Sequence, residues 1–243
     1  VIAEAESNGW IIQTRQVVGD GHSIFLLFDV IAPEGTVLKG DNYMFSDTFV
    51  NVNNSVDAAG YHFDILEDEN PEDNKISAVL VYDTDRNLVG KTLNLEFGSL
   101  TTFDPETGED LLLAEGSWKI DVPLDYSDLS QKLKPSGGLE LNGRTYTVKE
   151  LEVSPLGIYI KVGDNLGNIY DKLMQNGEYD SLEDIAGDVV VTMKDGSIFM
   201  DMSGSCGSGL GKGFHMRYQF GRVIDTDQIA EIKLGESIIY QGK

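Results

Sequence analysis

Along this chain apolar residues recur with period two, and the spacing of an amphipathic helix is almost absent. From Ile24 to Val30, the positions Ile24, Leu26, Phe28 and Val30 share one face while Phe25 and Leu27 take the other, the pattern of a strand buried on both sides. Apolar, β-branched and aromatic runs follow at Tyr43–Val52, Tyr61–Leu66, Ile76–Tyr82, Thr92–Phe97 and Leu111–Val122, separated by Gly, Asn, Asp and Pro. Strands at this spacing predict a β-sandwich. In "GSWKIDVPL" Trp118, Ile120 and Val122 share one phase and Lys119 and Asp121 the other, which directs the Trp118 indole inward.

After Val122 the texture changes to "PLDYSDLSQKLKPSGG", a polar stretch punctuated by Pro135, Gly137 and Gly138, read as a linker with a helical turn over Asp125–Leu129. The expected fold is all-β, with two tandem β-sandwich, immunoglobulin-like domains at 1–124 and 139–243 joined by a linker at 125–138. In the second, "LNGRTYTVKELEVSPLGIYIKV" (Leu141–Val162) reads as strands folded over a Ser154-Pro155-Leu156-Gly157 corner. Tyr146 and Val148 share one phase and Leu151 and Val153 the other, so the slip at Lys149-Glu150 predicts a β-bulge. Further strands are expected at Asp188–Met193, Ile198–Met202, Phe214–Phe220 and near Ile229–Ile239, with a Lys194-Asp195-Gly196 turn. A weak internal echo, Val17–Ile24 against Leu151–Ile158 followed by "IFLLFDV" against "IYIKV", suggests two copies of one strand, corner, strand unit.

Charge narrows the partners. The 243 residues hold 41 Asp plus Glu against 18 Lys plus Arg, a net −23, which repels phosphate backbones and anionic membranes and argues against nucleic acid. Residues 1–125 hold 24 acids and 6 bases, a net −18, and residues 126–243 hold 17 and 12, a net −5. Cys206 is the one cysteine, so an intrachain disulfide and a multi-thiolate metal site are excluded. No apolar run approaches the roughly 18 residues that span a bilayer. Val1-Ile2-Ala3-Glu4 lacks the regions of a signal peptide, so the chain is read either as cytoplasmic or as a piece whose targeting segment has been removed.

Candidate chemistry is sparse. "GSCGSGLGKG" (Gly204–Gly213) compares poorly with a phosphate-binding loop: Cys206 stands where the first Gly belongs, Gly213 follows Lys212 in place of Ser or Thr, and the strand-like "FHMRYQF" follows where a helix is required. It reads as a flexible connection, and Cys206 with His215 gives little support for a thiol nucleophile and its base. His22, His62 and His215 lack zinc-hydrolase spacing, and no spacing among the acids selects a glycosidase pair. Calcium is the more serious ligand. Asp83, Asp85 and Asn87 alternate in "YDTDRNLVG", but Leu88 replaces the Gly of an EF-hand loop and Asn94 its final Glu, so a hairpin turn is expected. "EDENPEDN" (Glu67–Asn74) reads as a charged loop, and "GDNLGN" (Gly163–Asn168) and "DPETG" (Asp104–Gly108) as turns. Trp10, Tyr43, Phe45, Tyr61 and Phe63 could line a sugar platform, although aromatics alternating along strands usually form core.

Three ordered segments carry a family resemblance: "GSWKIDVPLDYSDL" (Gly116–Leu129), the Leu141–Val162 stretch and "GRVIDTDQIAEIKLGE" (Gly221–Glu236). Together they resemble the extracytoplasmic region of membrane-anchored anti-sigma-factor-like proteins of Gram-positive-type bacteria. That resemblance implies β-sandwich modules outside the cell, one transmembrane helix, and a cytoplasmic segment that holds a sigma factor; the last two are absent from this chain. The expectation is a non-catalytic, cell-surface signalling ectodomain that binds an extracellular protein or ligand, with no cofactor, no metal and no catalytic residues. A surface adhesin or glycan-binding β-sandwich, which predicts an exposed aromatic cluster, is the alternative, and a hydrolase, which predicts a concave pocket with two convergent carboxylates, is the other rival.

Overall fold

A computed structural model describes residues 1–38, 42–55, 59–67, 70, 72–104, 107–141, 143–163, 187–200, 202–208 and 214–242. The chain is all-β. Among the described residues there is no α-helix, only a 3-10 turn at Thr226–Gln228, and the chain divides into two compact units, Val1–Ser127 and Asp128–Lys243.

In the first unit a five-stranded antiparallel sheet runs in the order β1 (Ala3–Ser7), β2 (Trp10–Gly19), β3 (Ser23–Ile31), β7 (Lys75–Thr84), β6 (Ala59–Ile65). Ile24, Leu26, Phe28 and Val30 of β3 form one buried cluster with residues of a second layer. That layer comes in two pieces of matching order, β11 (Trp118–Pro123), β8 (Thr92–Phe97), β5 (Phe49–Val52) and β10 (Glu109–Ala114), β9 (Leu100–Asp104), β4 (Tyr43–Phe45). The runs Tyr43–Val52 and Leu111–Val122, expected as single strands, are therefore each broken. Asp47 takes φ +47° between β4 and β5, and across the break Gly98 N donates to Ser46 O and Ser46 N to Ser99 O, both at 2.9 Å. A Cβ on Gly98 would overlap the Ser46 carbonyl oxygen, and one on Gly116 would overlap the Trp118 ring. The layer folds along this crease because two glycines let backbone and indole approach where a side chain would not fit.

Trp118 is buried as its strand phase requires, and its Nε1 donates to the Trp10 carbonyl at 3.0 Å. The other face of β3 differs from expectation: Phe25 and Leu27 are half-buried, beside an Arg15–Asp29 ion pair at 2.6 Å whose arginine reaches solvent.

The second unit pairs β12 (Gln131–Lys132), β15 (Val148–Val153), β16 (Gly157–Val162), β20 (Phe214–Phe220) and β19 (Met202–Ser208) in one sheet. The order β18 (Ile198–Phe199), β17 (Val189–Met193), β21 (Ile229–Leu234), β22 (Ser237–Gln241) makes the other, and a hairpin of β13 (Leu139–Leu141) and β14 (Arg144–Tyr146) adds Leu139, Leu141 and Tyr146 to the shared core. The segment 125–138, read as a linker, has no helical turn over Asp125–Leu129 and carries one short strand. Tyr126 packs on the first core and its hydroxyl donates to Asp20 O at 2.7 Å, while Gln131–Lys132 forms β12 and Leu133 packs on the second core.

The internal echo has a structural counterpart. Val17 lies opposite Leu26 and Gly19 opposite Ile24 in the first unit; Leu151 lies opposite Ile160 and Val153 opposite Ile158 in the second. The register slips at Arg15 in one hairpin and at Lys149, the expected bulge, in the other. Both corners use one device: Asp20 Oδ1 accepts from His22 N and Ser23 N, and Ser154 Oγ from Leu156 N and Gly157 N, at 2.8–3.1 Å. The Ser-Pro-Leu-Gly corner is thus a turn closed by its own first side chain.

Trp118→Ala is expected to destabilise the first unit by about 3–5 kcal/mol, through the lost ring volume and the lost Nε1 hydrogen bond to the Trp10 carbonyl. Both tryptophans lie in this unit. Denaturant unfolding of the full chain followed by Trp10 fluorescence should therefore show the lowered midpoint.

Candidate functional site

The strands expected to carry aromatic core place a graded array of rings across the first unit. Phe97, fully buried, stacks on Phe45 at 4.6 Å between centroids and on Phe28 at 5.8 Å, and meets the edge of Phe63 at 5.8 Å. Phe63 in turn meets Tyr61 at 5.8 Å. Tyr61 and Phe63 alternate on the inner face of β6, yet Tyr61 is 43% exposed. The array begins in the core and ends in water.

Beyond Phe63 the two layers enclose an open apolar hollow of about 370 Å³, with Tyr43, Phe45 and Thr48 on one wall, Tyr61, Phe63 and Ile65 on the other, and Phe28 and Ala78 among its inner lining residues. The Tyr61 hydroxyl crosses the opening to donate to Thr48 O at 3.1 Å. A second hollow shares Tyr43, Met44, Phe63 and Ile65 with the first and adds Phe103, Asp64 and Asp110; a third shares Tyr61 and adds Phe49, Val50 and Ala59. All three follow β6 from Ala59 to Ile65, so they form one groove along a strand of seven residues, about 23 Å at the usual rise. Met44, Phe49 and Phe103 stand exposed around it. Among the described residues its lining holds two carboxylates and no lysine or arginine.

Strand pairing explains why the groove is open. β6 pairs only with β7, β4 only with β9 and β5 only with β8 among the described residues, so three sheet edges meet at this opening. The crease at Ser46–Thr48 is what separates β4 from β5 there.

Of the five aromatics singled out from the sequence, Trp10 and Tyr43 are buried, Phe45 and Phe63 are half-buried, and Tyr61 is exposed; the last four line the groove. The calcium candidates do not form the expected hairpin: Asp83 lies within β7, buried, and accepts from the Ser23 hydroxyl of β3, Asn87 Oδ1 accepts from Val89 N at 3.0 Å, and the segment leads from β7 in one layer to β8 in the other. In Glu67–Asn74, Asp73 Oδ1 caps Lys75 N at 2.8 Å, while residues 68, 69 and 71 lie outside the described residues, as do 105–106, 164–168 and 209–213 of the other stretches. Among the described residues no group of three or more His, Cys, Asp or Glu could hold a metal ion. The stretch read as a glycine-rich connection begins as strand, since Gly204–Ser208 belongs to β19, where Cys206 lies opposite Met216 and not opposite His215. His62 Nε2 lies 3.5 Å from Asp64 Oδ2.

Two titratable groups outside the groove are shifted. The Lys132 ammonium is pushed up by its hydrogen bond to Glu152, and the Asp195 carboxyl is held down by the Ser197 hydroxyl and N–H within the expected turn. Both sit in solvent on the second unit, where a strand pair and a turn account for them. Asp64 and Asp110 are exposed on the groove's rim, whereas a carboxyl acting as general acid needs an apolar, water-poor setting.

No family model matches this sequence, and no curated protein matches it. A solved structure of a conserved domain protein from Bacillus anthracis is similar in fold: at 14% identity it covers 96% of this chain and 74% of its own, with a TM-score of 0.61.

The array and the latch separate by mutation. Phe63→Ala, which removes a half-buried ring from between Phe28, Phe97 and Tyr61, is expected to cost about 2 kcal/mol or more, whereas Tyr61→Phe loses one exposed hydrogen bond and should cost under about 1 kcal/mol. Chemical unfolding of both variants checks the order.

Proposed function

We propose that this chain is a non-catalytic binding module, the ligand-recognising part of a cell-surface sensor, and that its first unit takes its ligand in the groove along β6. The observation that carries this reading is the groove itself: an apolar concavity that is lined by rings continuous with the core and left open between two layers. A sandwich evolving for stability alone would close over Phe63. Surface location and sensing are supported by the resemblance of Gly116–Leu129, Leu141–Val162 and Gly221–Glu236 to anti-sigma-type ectodomains; in that architecture the sigma factor meets a cytoplasmic segment and not these β units.

A glycan-binding reading draws on the exposed rings of Phe49, Tyr61 and Phe103. Against it, sugar hydroxyls need flanking polar partners, and among the described residues the central 370 Å³ hollow offers only Thr48 and the tyrosine hydroxyls, the polar side chains Asn42, Asn51, Asn54 and Ser55 lining the hollows at its two ends. The apolar ligand is the better match.

Nile red, a neutral apolar dye, is expected to bind the full chain saturably at one site. Thr48→Trp, which puts an indole into the opening, should remove most of that binding without lowering the unfolding midpoint. Absence of saturable binding to the unmodified chain, or binding indifferent to the substitution, would overturn the assignment.

A further inference from the structure

The groove's shape and chemistry narrow its ligand. It is elongated, it runs the length of β6, and one wall is a sheet edge whose alternate N–H and C=O groups face away from β7 with no strand paired to them among the described residues. The opposite wall includes β4, likewise an edge. Along this channel hollows with apolar walls succeed one another, Phe49 and Tyr61 at one end, Phe45 and Phe63 in the middle, Met44 and Phe103 at the other, the end hollows also holding Asn51 and Asn54 or Asn42. Asp64 and Asp110 stand on its rim, no lysine or arginine lines it among the described residues, and the surrounding half of the chain, residues 1–125, carries a net −18.

Resting on the reading of this groove as a binding site, we infer that its occupant is an extended peptide segment of alternating apolar and basic residues that joins β6 as an added strand. Main-chain hydrogen bonds to the β6 edge give such a segment its register, since an edge strand is a template for another chain. Its apolar side chains, all on one face by the period of two, enter the aromatic-lined hollows. Its basic side chains, on the other face, lie towards Asp64 and Asp110. A compact apolar molecule would use one hollow and leave the edge unpaired; an acidic peptide would meet repulsion from Asp64 and Asp110 and from the net −18 of residues 1–125. A second copy of this chain is disfavoured by the same charge, at −23 per chain.

The probe is a capped heptapeptide that alternates lysine with valine and phenylalanine, titrated into the full isotope-labelled chain and followed by amide NMR shifts. Saturable shifts are expected at the β6 amides, residues 59–65, and at β4. The glutamate counterpart is expected to bind roughly tenfold more weakly or worse, and Asp64→Lys with Asp110→Lys should reverse that preference, as rim charges set partner choice. Two peptides N-methylated at alternate amides, in opposite phases, separate strand addition from general attraction to an acidic protein. One phase blocks the donors aimed at β6 and should abolish binding; the other should not. Equal binding by both phases, or shifts scattered away from β6, would overturn the inference. If Nile red binds and the peptide does not, the groove remains a binding site and the peptide assignment falls; if neither binds, both fall.

Discussion

The first unit depends on a close approach of two backbones, where Gly98 lies against the carbonyl of Ser46. With no Cβ at position 98, Gly98 N reaches Ser46 O and Ser46 N reaches Ser99 O, and these two bonds turn the three-stranded layer from its β11, β8, β5 piece into its β10, β9, β4 piece. Gly116 does the corresponding work on the neighbouring strand, leaving room for the Trp118 ring. Without the crease β4 and β5 would be one strand, continuous from Tyr43 to Val52. With it, the piece beside Trp118 closes a dense core and the piece beside Phe63 leaves an open groove.

That division links stability to function. Trp118, Phe97 and Phe28 lie within the core, and Phe63 and Tyr61 continue the same set of rings outward to solvent. The groove walls are thus held by the part of the unit that is hardest to deform, which keeps a binding surface preorganised. The second unit repeats the five-stranded order, the bulge and the self-capped corner, but among its described strands nothing corresponds to the β10, β9, β4 piece. The crease and the groove are features of the first unit.

Much of the scaffold was legible in the sequence because period-two patterning reports burial directly. The inward Trp118, the bulge at Lys149, the Ser154 corner and the Lys194-Asp195-Gly196 turn all follow from local phase and turn chemistry. Strand breaks were not legible: Tyr43–Val52 keeps an apolar, aromatic texture across Ser46-Asp47-Thr48, and only the packing of Gly98 on Ser46 shows why it divides. The groove was hidden for a related reason. Tyr61 and Phe63 alternate as core residues do, and whether such a face is covered depends on the opposite layer, which no local pattern encodes. The isolated glycines at 98 and 116, each between strand-like runs, were the available hint, since glycine within such runs marks bulges and close approaches.

The central claim is that β6 presents an uncovered edge to the groove. Residue-resolved hydrogen exchange on the full chain tests it directly. Amides of β6 should alternate, with those bonded to β7 protected and their neighbours exchanging near the rate of free peptide, while β3 and β7 are protected throughout. Uniform slow exchange from residue 59 to 65 would show that the edge is already covered and would contradict an open groove.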